Sequence, residues 1–329
     1  MTRSLLVLGG TAWLGSEVAR QAVKRGWEVT CLARGESGVV PEGARLVEAD
    51  RAQPGAYAPV ADRRYDAVVE VSWQPRFVQE AVEALGGVAD HWTYVSSVSV
   101  YGADRSPNTE ASPRMEALHP ETEATIAHYP QAKVTCEDLT TRELGAHALI
   151  ARPGLIVGPG DPTDRFGYWP ARAALAGDGP MLVPRDGAPT QSLDVRDLAA
   201  WILDAGESDV RGPVNAVGEQ VPFREMVEAA RAAAGHEGDV REATTPWLAM
   251  RRVSSWSGPT SLPMWVPPGP FPPVGAHASD RYRETGGQWR PLEDTLRDTL
   301  AWERGLGLDR PRKAGLSRAE ELDLIAQLP

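Results

Sequence analysis

Ser4-Leu5-Leu6-Val7-Leu8, then Gly9-Gly10-Thr11-Ala12-Trp13-Leu14-Gly15, then a helical run to Gly26 and Trp27-Glu28-Val29-Thr30-Cys31-Leu32-Ala33-Arg34 form the stretch whose reading decides the fold. Leu5 to Leu8 is an apolar run too short for a helix, as a strand buried on both faces should be. The glycine turn follows directly. Val18, Ala19, Ala22 and Val23 recur at helical spacing, Gly26 closes the helix, and Val29 to Leu32 reads as a second strand. Strand, glycine turn, helix and strand in this order make a dinucleotide-binding unit. Gly9 allows a tight turn out of the strand, and Gly15 allows the helix to lie close to the sheet. The backbone N–H groups of Thr11, Ala12, Trp13 and Leu14 are then expected to face a diphosphate. Ala12 replaces the middle glycine of the usual Gly-x-x-Gly-x-x-Gly spacing.

The end of the second strand bears on the choice of cofactor. An Asp or Glu there would bind a ribose 2′-hydroxyl and repel a 2′-phosphate. The chain has Ala33 and Arg34, and a guanidinium can pair with a phosphate through its planar fork. NADP(H) is therefore the preferred expectation, with NAD(H) admitted.

Further along, Arg45 to Asp50 and Tyr65 to Val71 read as strands, Phe77 to Leu85 as a helix, and Trp92 to Ser97 as a fifth strand. A polar loop runs to about His128; Tyr129 to Leu144 is helical and His147 to Ala151 a sixth strand. Strands alternating with helices give an α/β fold with a doubly wound parallel sheet. From Arg152 onward Pro, Gly and aromatic residues cluster, and residues 245–276 read as a lid or loop layer. A dinucleotide-binding domain over 1–160, with later returns near 190–216, and a smaller, discontinuous substrate lobe over 161–329 follow from that shift. Helices are expected at Pro291 to Arg304 and Ser317 to Gln327.

Composition narrows the class. A net charge of −11 opposes non-specific attraction to nucleic acid or an anionic membrane. No apolar run approaches the roughly 18 residues needed to cross a bilayer, and five apolar residues ending in Gly-Gly do not read as a signal peptide. Two isolated cysteines, Cys31 and Cys136, suit reduced thiols and a cytoplasmic setting, and the six histidines show no metal-ligand spacing. The partner expected is a small-molecule substrate; a homodimer is left open.

Tyr129 and Lys133, four apart on one predicted helix, share a face, and Pro130 is accepted in its first turn. A free tyrosine titrates near pH ~10, and a nearby ammonium brings the phenol closer to useful acid–base work. The lysine can also hold ribose hydroxyls. Ser97 ends a strand on the carboxyl edge of the sheet, where ligands of such folds bind, and can hold a substrate oxygen.

These residues carry a likeness. Gly9 to Gly15, Tyr94-Val95-Ser96-Ser97-Val98-Ser99-Val100-Tyr101-Gly102, Tyr129-Pro130-Gln131-Ala132-Lys133, Arg152-Pro153-Gly154 and Asp194 to Ala199 together make the chain resemble the extended short-chain dehydrogenase/reductases, the NAD-dependent epimerase/dehydratase family with a Rossmann fold. The resemblance runs to about residue 216 and implies a catalytic Ser97, Tyr129 and Lys133. Ser97 rather than Ser96 matches, because the family's residue stands four before the tyrosine of the Val-Tyr-Gly segment, here Tyr101. It also implies that Asp50 holds the adenine amino group, that Val71, Ser72 and Trp73 line the cofactor, and that Pro153 passes the nicotinamide.

Sugar-nucleotide dehydratases of the family carry Asp-Glu after the catalytic Ser or Thr. Val98-Ser99 stands there instead, which discounts dehydration. Many epimerases hold NAD through an acid after the second strand, which is missing. The leading expectation is thus an NADPH-dependent reductase of a small carbonyl or imine. A sugar-nucleotide epimerase that retains its cofactor is the alternative, and a cofactor-sensing or RNA-binding protein is the alternative outside enzymes. Trp73, Phe166, Tyr168, Trp169, Trp247, Trp256 and Trp265 are candidates for an apolar pocket, with core packing the preferred reading for any one of them.

Overall fold

Strand β1 (Ser4–Leu8) is the middle of the sheet and enters α1 (Trp13–Lys24) through the glycine turn. The alternation continues through β2 (Glu28–Ala33), β3 (Ala44–Glu48), β4 (Tyr65–Glu70), α2 (Pro75–Leu85), β5 (Ala89–Val95), α3 (Tyr129–Leu144) and β6 (Ala148–Pro153). The chain then makes β7 (Leu155–Val157), α4 (Tyr168–Ala176), β8 (Met181–Pro184) and β9 (Thr190–Asp194), and returns with α5 (Val195–Glu207) and β10 (Gly212–Ala216). The remainder holds β11 (Gln220–Val221), α6 (Phe223–Ala234), β12 (Val240–Ala243), α7 (Thr245–Met250), β13 (Ser254–Trp256), β14 (Ser261–Pro263), α8 (Asp280–Glu284), α9 (Leu292–Leu306) and α10 (Arg318–Ala326). The structure, a computed structural model, describes residues 2–102, 107–119, 122, 124–269 and 277–329.

The chain divides into two compact units. The first comprises Met1–Gly154, Val195–Val217 and His277–Gln288; the second comprises Leu155–Asp194, Gly218–Ala276 and Trp289–Pro329. The boundary expected at 160 falls at Gly154, and the return of 277–288, which carries α8, was not foreseen.

The first unit is a seven-stranded parallel sheet in the order β10-β6-β5-β4-β1-β2-β3, a Rossmann arrangement. Chain order reverses between β1 and β4, so their carboxyl ends flank the switch point where ligands of such sheets bind. α1 packs with α5 and α2 with α3, as right-handed crossovers to either side of β1 require. Leu5, Leu6, Val7 and Leu8 are all fully buried, each contributing ~1.5–3 kcal/mol. Asp66 Oδ2, in β4, accepts hydrogen bonds from Ser4 N at 2.7 Å and Ser4 Oγ at 2.8 Å, which ties the start of β1 to β4.

The second unit is built on three small sheets and a separate core. β11-β9-β7, the parallel pair β12-β8 and the pair β13-β14 are its strands. Phe166, Tyr168, Trp169, Phe223 and Trp265 are buried in that core, with Trp169 edge-on to Phe223 at 5.4 Å. Residues 245–269, expected as loop, form α7 and the β13–β14 pair; residues 270–276 of that expected lid lie outside the described residues.

Gly15 sets how closely α1 approaches β1, since a Cβ there would stand 2.4 Å from Gly9 O. Gly15→Ala should therefore destabilise the fold by about 1–3 kcal/mol, read as a lower denaturant midpoint. An unchanged midpoint would refute the close packing described here.

Candidate active site

The switch point is built from backbone first. Gly9 has φ +100°, and a Cβ there would lie 2.6 Å from Val71 Cγ2, so the turn after β1 presses against the segment following β4. A Cβ on Gly10 would meet Cys31 Sγ at 2.4 Å. The glycines let the chain turn away from the sheet and start α1 at Ala12, which is extended with no side-chain cap and has no acidic residue in the first turn of the helix. An uncapped helix start without a competing carboxylate suits a diphosphate, so the residues fit a dinucleotide. Thr11 is buried, Ala12 exposed, Trp13 half-buried and Leu14 buried.

Tyr129 is the first residue of α3, and Pro130 fills the early position where proline costs no hydrogen bond. Lys133 follows one turn later and is buried. Its Nζ donates to Val95 O at 2.6 Å and to Ser72 O at 3.1 Å, the carboxyl ends of β5 and β4. It also lies 4.9 Å from the Tyr94 ring centroid and 5.9 Å from that of Tyr129. Burial pulls the Lys133 ammonium down to about 8, against the carboxylates of Glu70 and Glu137, which favour the charge. Between that value and the ordinary lysine value of ~10.4 the unfolded chain holds a proton the folded chain has released, so stability from this group rises with pH across that window.

Ser97 lies two residues beyond Val95 and is half-buried. Its Oγ accepts from Ser99 N at 3.2 Å, capping the short 3-10 turn Val98–Tyr101, and keeps its proton to donate. Ser96 is different. It is buried, and its Oγ donates to Glu137 Oε1 at 2.5 Å. Trp73 packs on Tyr129 with ring centroids 5.7 Å apart. The structure thus gathers Ser97, Tyr129, Lys133, Ser72 and Trp73 at the ends of β4 and β5.

A family model described as NAD dependent epimerase/dehydratase family matches residues 5–217. The chain belongs to the NAD-dependent epimerase/dehydratase family. It is an NAD(P)-dependent enzyme of the extended short-chain dehydrogenase/reductase type. No curated protein matches it in sequence. Among solved structures it resembles a candidate epimerase from Burkholderia cenocepacia J2315, at 21% identity and TM-score 0.70 over 92% of this chain and 98% of that one. It also resembles UDP-glucuronic acid 4-epimerase from Bacillus cereus in complex with NAD, at 17% identity and TM-score 0.66 over 92% and 99%. A third is the Bordetella bronchiseptica enzyme WbmH in complex with NAD+, at 17% identity and TM-score 0.66 over 93% and 100%. Identities this low show a shared fold.

Other residues implied by the epimerase/dehydratase resemblance take these places. Asp50 lies just past β3 and accepts from Ala52 N at 3.0 Å. Val71 and Ser72 follow β4 and are half-buried, and Pro153 ends β6, buried. Arg34 follows β2 but is exposed and paired with Glu36 Oε2 at 3.2 Å. That carboxylate competes for the guanidinium meant for a 2′-phosphate, so the expected NADP preference finds no support in this geometry. Of the aromatic candidates, Phe166, Tyr168, Trp169 and Trp265 are core of the second unit. No described helix is long and apolar enough to cross a membrane.

Residues that the sequence reading missed stand behind the site. Glu137, one turn beyond Lys133, is buried and takes a two-pronged pair from Arg152, Nε–Oε1 at 2.8 Å and Nη2–Oε2 at 2.7 Å. Arg152 Nη1 donates to Tyr101 OH at 2.7 Å, and that hydroxyl donates to Asn215 Oδ1 at 2.5 Å. Arg51 pairs likewise with the fully buried Glu70. The helical offset of Glu137 from Lys133 was a readable signal; its burial was not.

The two adjacent serines should separate cleanly. Ser97→Ala should cut turnover by about 10²-fold or more with little change in melting temperature. Ser96→Ala, which leaves Glu137 short of a donor, should cost about 1–3 kcal/mol of stability and little turnover. Steady-state rates and thermal melts of both variants check this; the reverse pattern would exchange their roles.

Proposed function

We propose that the protein is an NAD-dependent epimerase that inverts a hydroxyl-bearing carbon of a small molecule, of the sugar-nucleotide class named for two of its structural neighbours. The observation that carries this reading is Tyr129 and Lys133 one turn apart on α3, with Lys133 bonded to Val95 O two residues before Ser97, which is followed by Val98-Ser99 and no carboxylate. Such a set can take a proton from a hydroxyl and return it. It has no acid placed after Ser97 to eliminate water. The family match and the NAD held by neighbouring structures support retained NAD, and Glu36 beside Arg34 supports NAD over NADP.

Bound NAD would supply the hydride acceptor and donor, held by the turn from Gly9 to Gly15 and by Lys133. The protein's own part is proton handling. Tyr129, as phenolate, accepts the substrate hydroxyl proton, and later gives it back as phenol. Ser97 donates a hydrogen bond to the same substrate oxygen. Lys133, as ammonium, favours the phenolate. One feature favours a second reading, an NADPH-dependent carbonyl reductase: β2 ends in Ala33-Arg34 without an acid.

Denaturing the purified protein should release NAD(H) into the supernatant, and a panel of UDP-sugars followed by NMR should show a new epimer with no net cofactor oxidation. Tyr129→Phe should lower that conversion by at least about 10²-fold. Absence of bound cofactor together with steady NADPH consumption on ketones would replace the epimerase with the reductase.

The pH profile gives a further check. Lys133 carries its charge below about 8 and loses it above. Turnover should therefore decline as pH rises through about 8, with no such decline in melting temperature. A rate that stays flat to pH ~10, the range of an ordinary lysine, would remove the ammonium from the mechanism.

A further inference from the structure

The Arg51–Glu70 pair is linked to the candidate catalytic lysine through Ser72, and nothing in the proton handling above uses it. Glu70 is the last residue of β4 and is fully buried. Arg51 Nη1 donates to Glu70 Oε1 at 3.0 Å, and its Nη2 pairs with Oε2. The arginine is in turn anchored by Tyr57 OH at 2.8 Å and Phe77 O at 3.0 Å. Glu70 Oε1 also accepts from Ser72 N at 2.7 Å. The same Ser72 residue presents its carbonyl to Lys133 Nζ at 3.1 Å and to Tyr94 OH at 3.2 Å. One residue therefore connects the carboxylate to the amine: Glu70 holds its N–H, and Lys133 holds its C=O.

We propose that the Arg51–Glu70 pair is a positioning device for Lys133, in which Glu70 fixes the Ser72 backbone on which the amine rests and keeps a carboxylate behind it. This deepens the proposed use of Tyr129 and Lys133 and rests on that reading for its catalytic meaning. The groups around Lys133 single out the carboxylates. From α3 it meets Tyr129, Cys136 and Glu137, from β5 Tyr94, and from β4 Glu70. Burial pushes the Cys136 thiol up to about 12 and raises the Tyr94 phenol well above its ordinary value, so neither carries charge where Lys133 titrates. Glu137 is held by Arg152 and Arg114 on its own side and makes no bond to the Ser72 peptide. Glu70 alone among these groups combines charge with a direct grip on an acceptor of the amine. Arg51 grips that carboxylate and is itself held by Tyr57 OH and Phe77 O, and it is the Glu70 carboxylate that favours the ammonium at Lys133.

The chain has only three lysines, Lys24, Lys133 and Lys313, which makes direct titration practical. Protein labelled with ¹³Cε-lysine should give three resonances, that of Lys133 identified by its loss in Lys133→Met. Its midpoint should lie near 8. Glu70→Gln should move that midpoint down by about one pH unit, because a carboxylate is lost while a buried guanidinium remains. Arg51→Lys, which adds a fourth resonance, keeps both charges and should leave the Lys133 midpoint in place while lowering the melting temperature. Should Glu70→Gln fail to fold, Arg51→Gln with Glu70→Gln replaces the pair by neutral groups, a change that buried pairs often tolerate, and should shift the midpoint in the same direction by less. A Lys133 midpoint unmoved in the folded glutamine variants, with only thermal stability lost, would overturn the proposal and leave the pair structural. The titration needs no turnover, so it stands whether or not Tyr129→Phe abolishes epimerisation, and the two failures are told apart.

Discussion

A buried amine holds the site together. Lys133 carries three donors into the interior, and an ammonium without partners there would cost several kcal/mol. Two of its partners are carbonyls at the carboxyl ends of adjacent strands, Ser72 O after β4 and Val95 O at the end of β5. The helix that delivers the amine also delivers Tyr129 one turn earlier, and the strand that accepts it reaches Ser97 two residues later. Tyr129 from the same helix and Ser97 from just past the end of β5 are thus indexed to one nitrogen. The Tyr94 face, 4.9 Å away, adds a cation–π contact to a charge that burial otherwise disfavours.

Around that nitrogen the protein uses two buried arginine–glutamate pairs in the same way. Each carboxylate takes a fork from its arginine and a hydrogen bond from a serine, Glu70 from Ser72 N and Glu137 from Ser96 Oγ, and Glu137 takes another from Arg114. Apolar replacements could match such pairs in stability, since removing two charges from water costs about what their attraction returns. What apolar residues could not do is fix a peptide plane or a serine rotamer. The Ser96–Ser97 doublet shows the consequence. Glu137 takes the first hydroxyl, and the second is the one that caps a short turn and remains a donor.

Much of this was legible in the chain. The glycine turn, the apolar β1 and the helical period of α1 need only local chemistry, because each is defined by neighbours in sequence. The spacing of Tyr129 and Lys133 on one helix is equally local. The buried pairs were not legible, since Arg51 after β3 meets Glu70 of β4, and Glu137 of α3 meets Arg152 of β6, only once separate elements pack together. The short strands β7, β8 and β12 escaped for a related reason: two to four apolar residues carry no period of their own, and the pairing partner decides them. The composition of the stretch from Phe166 to Trp169 favours core packing over a pocket without deciding it, and the packing of the second unit places Phe166, Tyr168 and Trp169 in a core. Arg34 was read without Glu36, although the carboxylate two residues on stood in plain view.

Glu36 bears directly on the choice of cofactor. In the roles proposed for them, Ser97, Tyr129 and Lys133 would serve an epimerase and a reductase alike, because a phenol that removes a proton from an alcohol is the same phenol that delivers one to a carbonyl. On the proposed reading, the choice between NAD and NADP is made elsewhere, at the residues that follow β2. There the chain places Arg34 and Glu36 together in solvent, where such a pair is worth only ~0–1 kcal/mol. A 2′-phosphate would have to outbid a weak partner but would also bring its charge up to Glu36. A ribose without that phosphate meets no such repulsion. On the proposed reading, one carboxylate thus favours the unphosphorylated cofactor, while the proton-handling residues are indifferent to that choice.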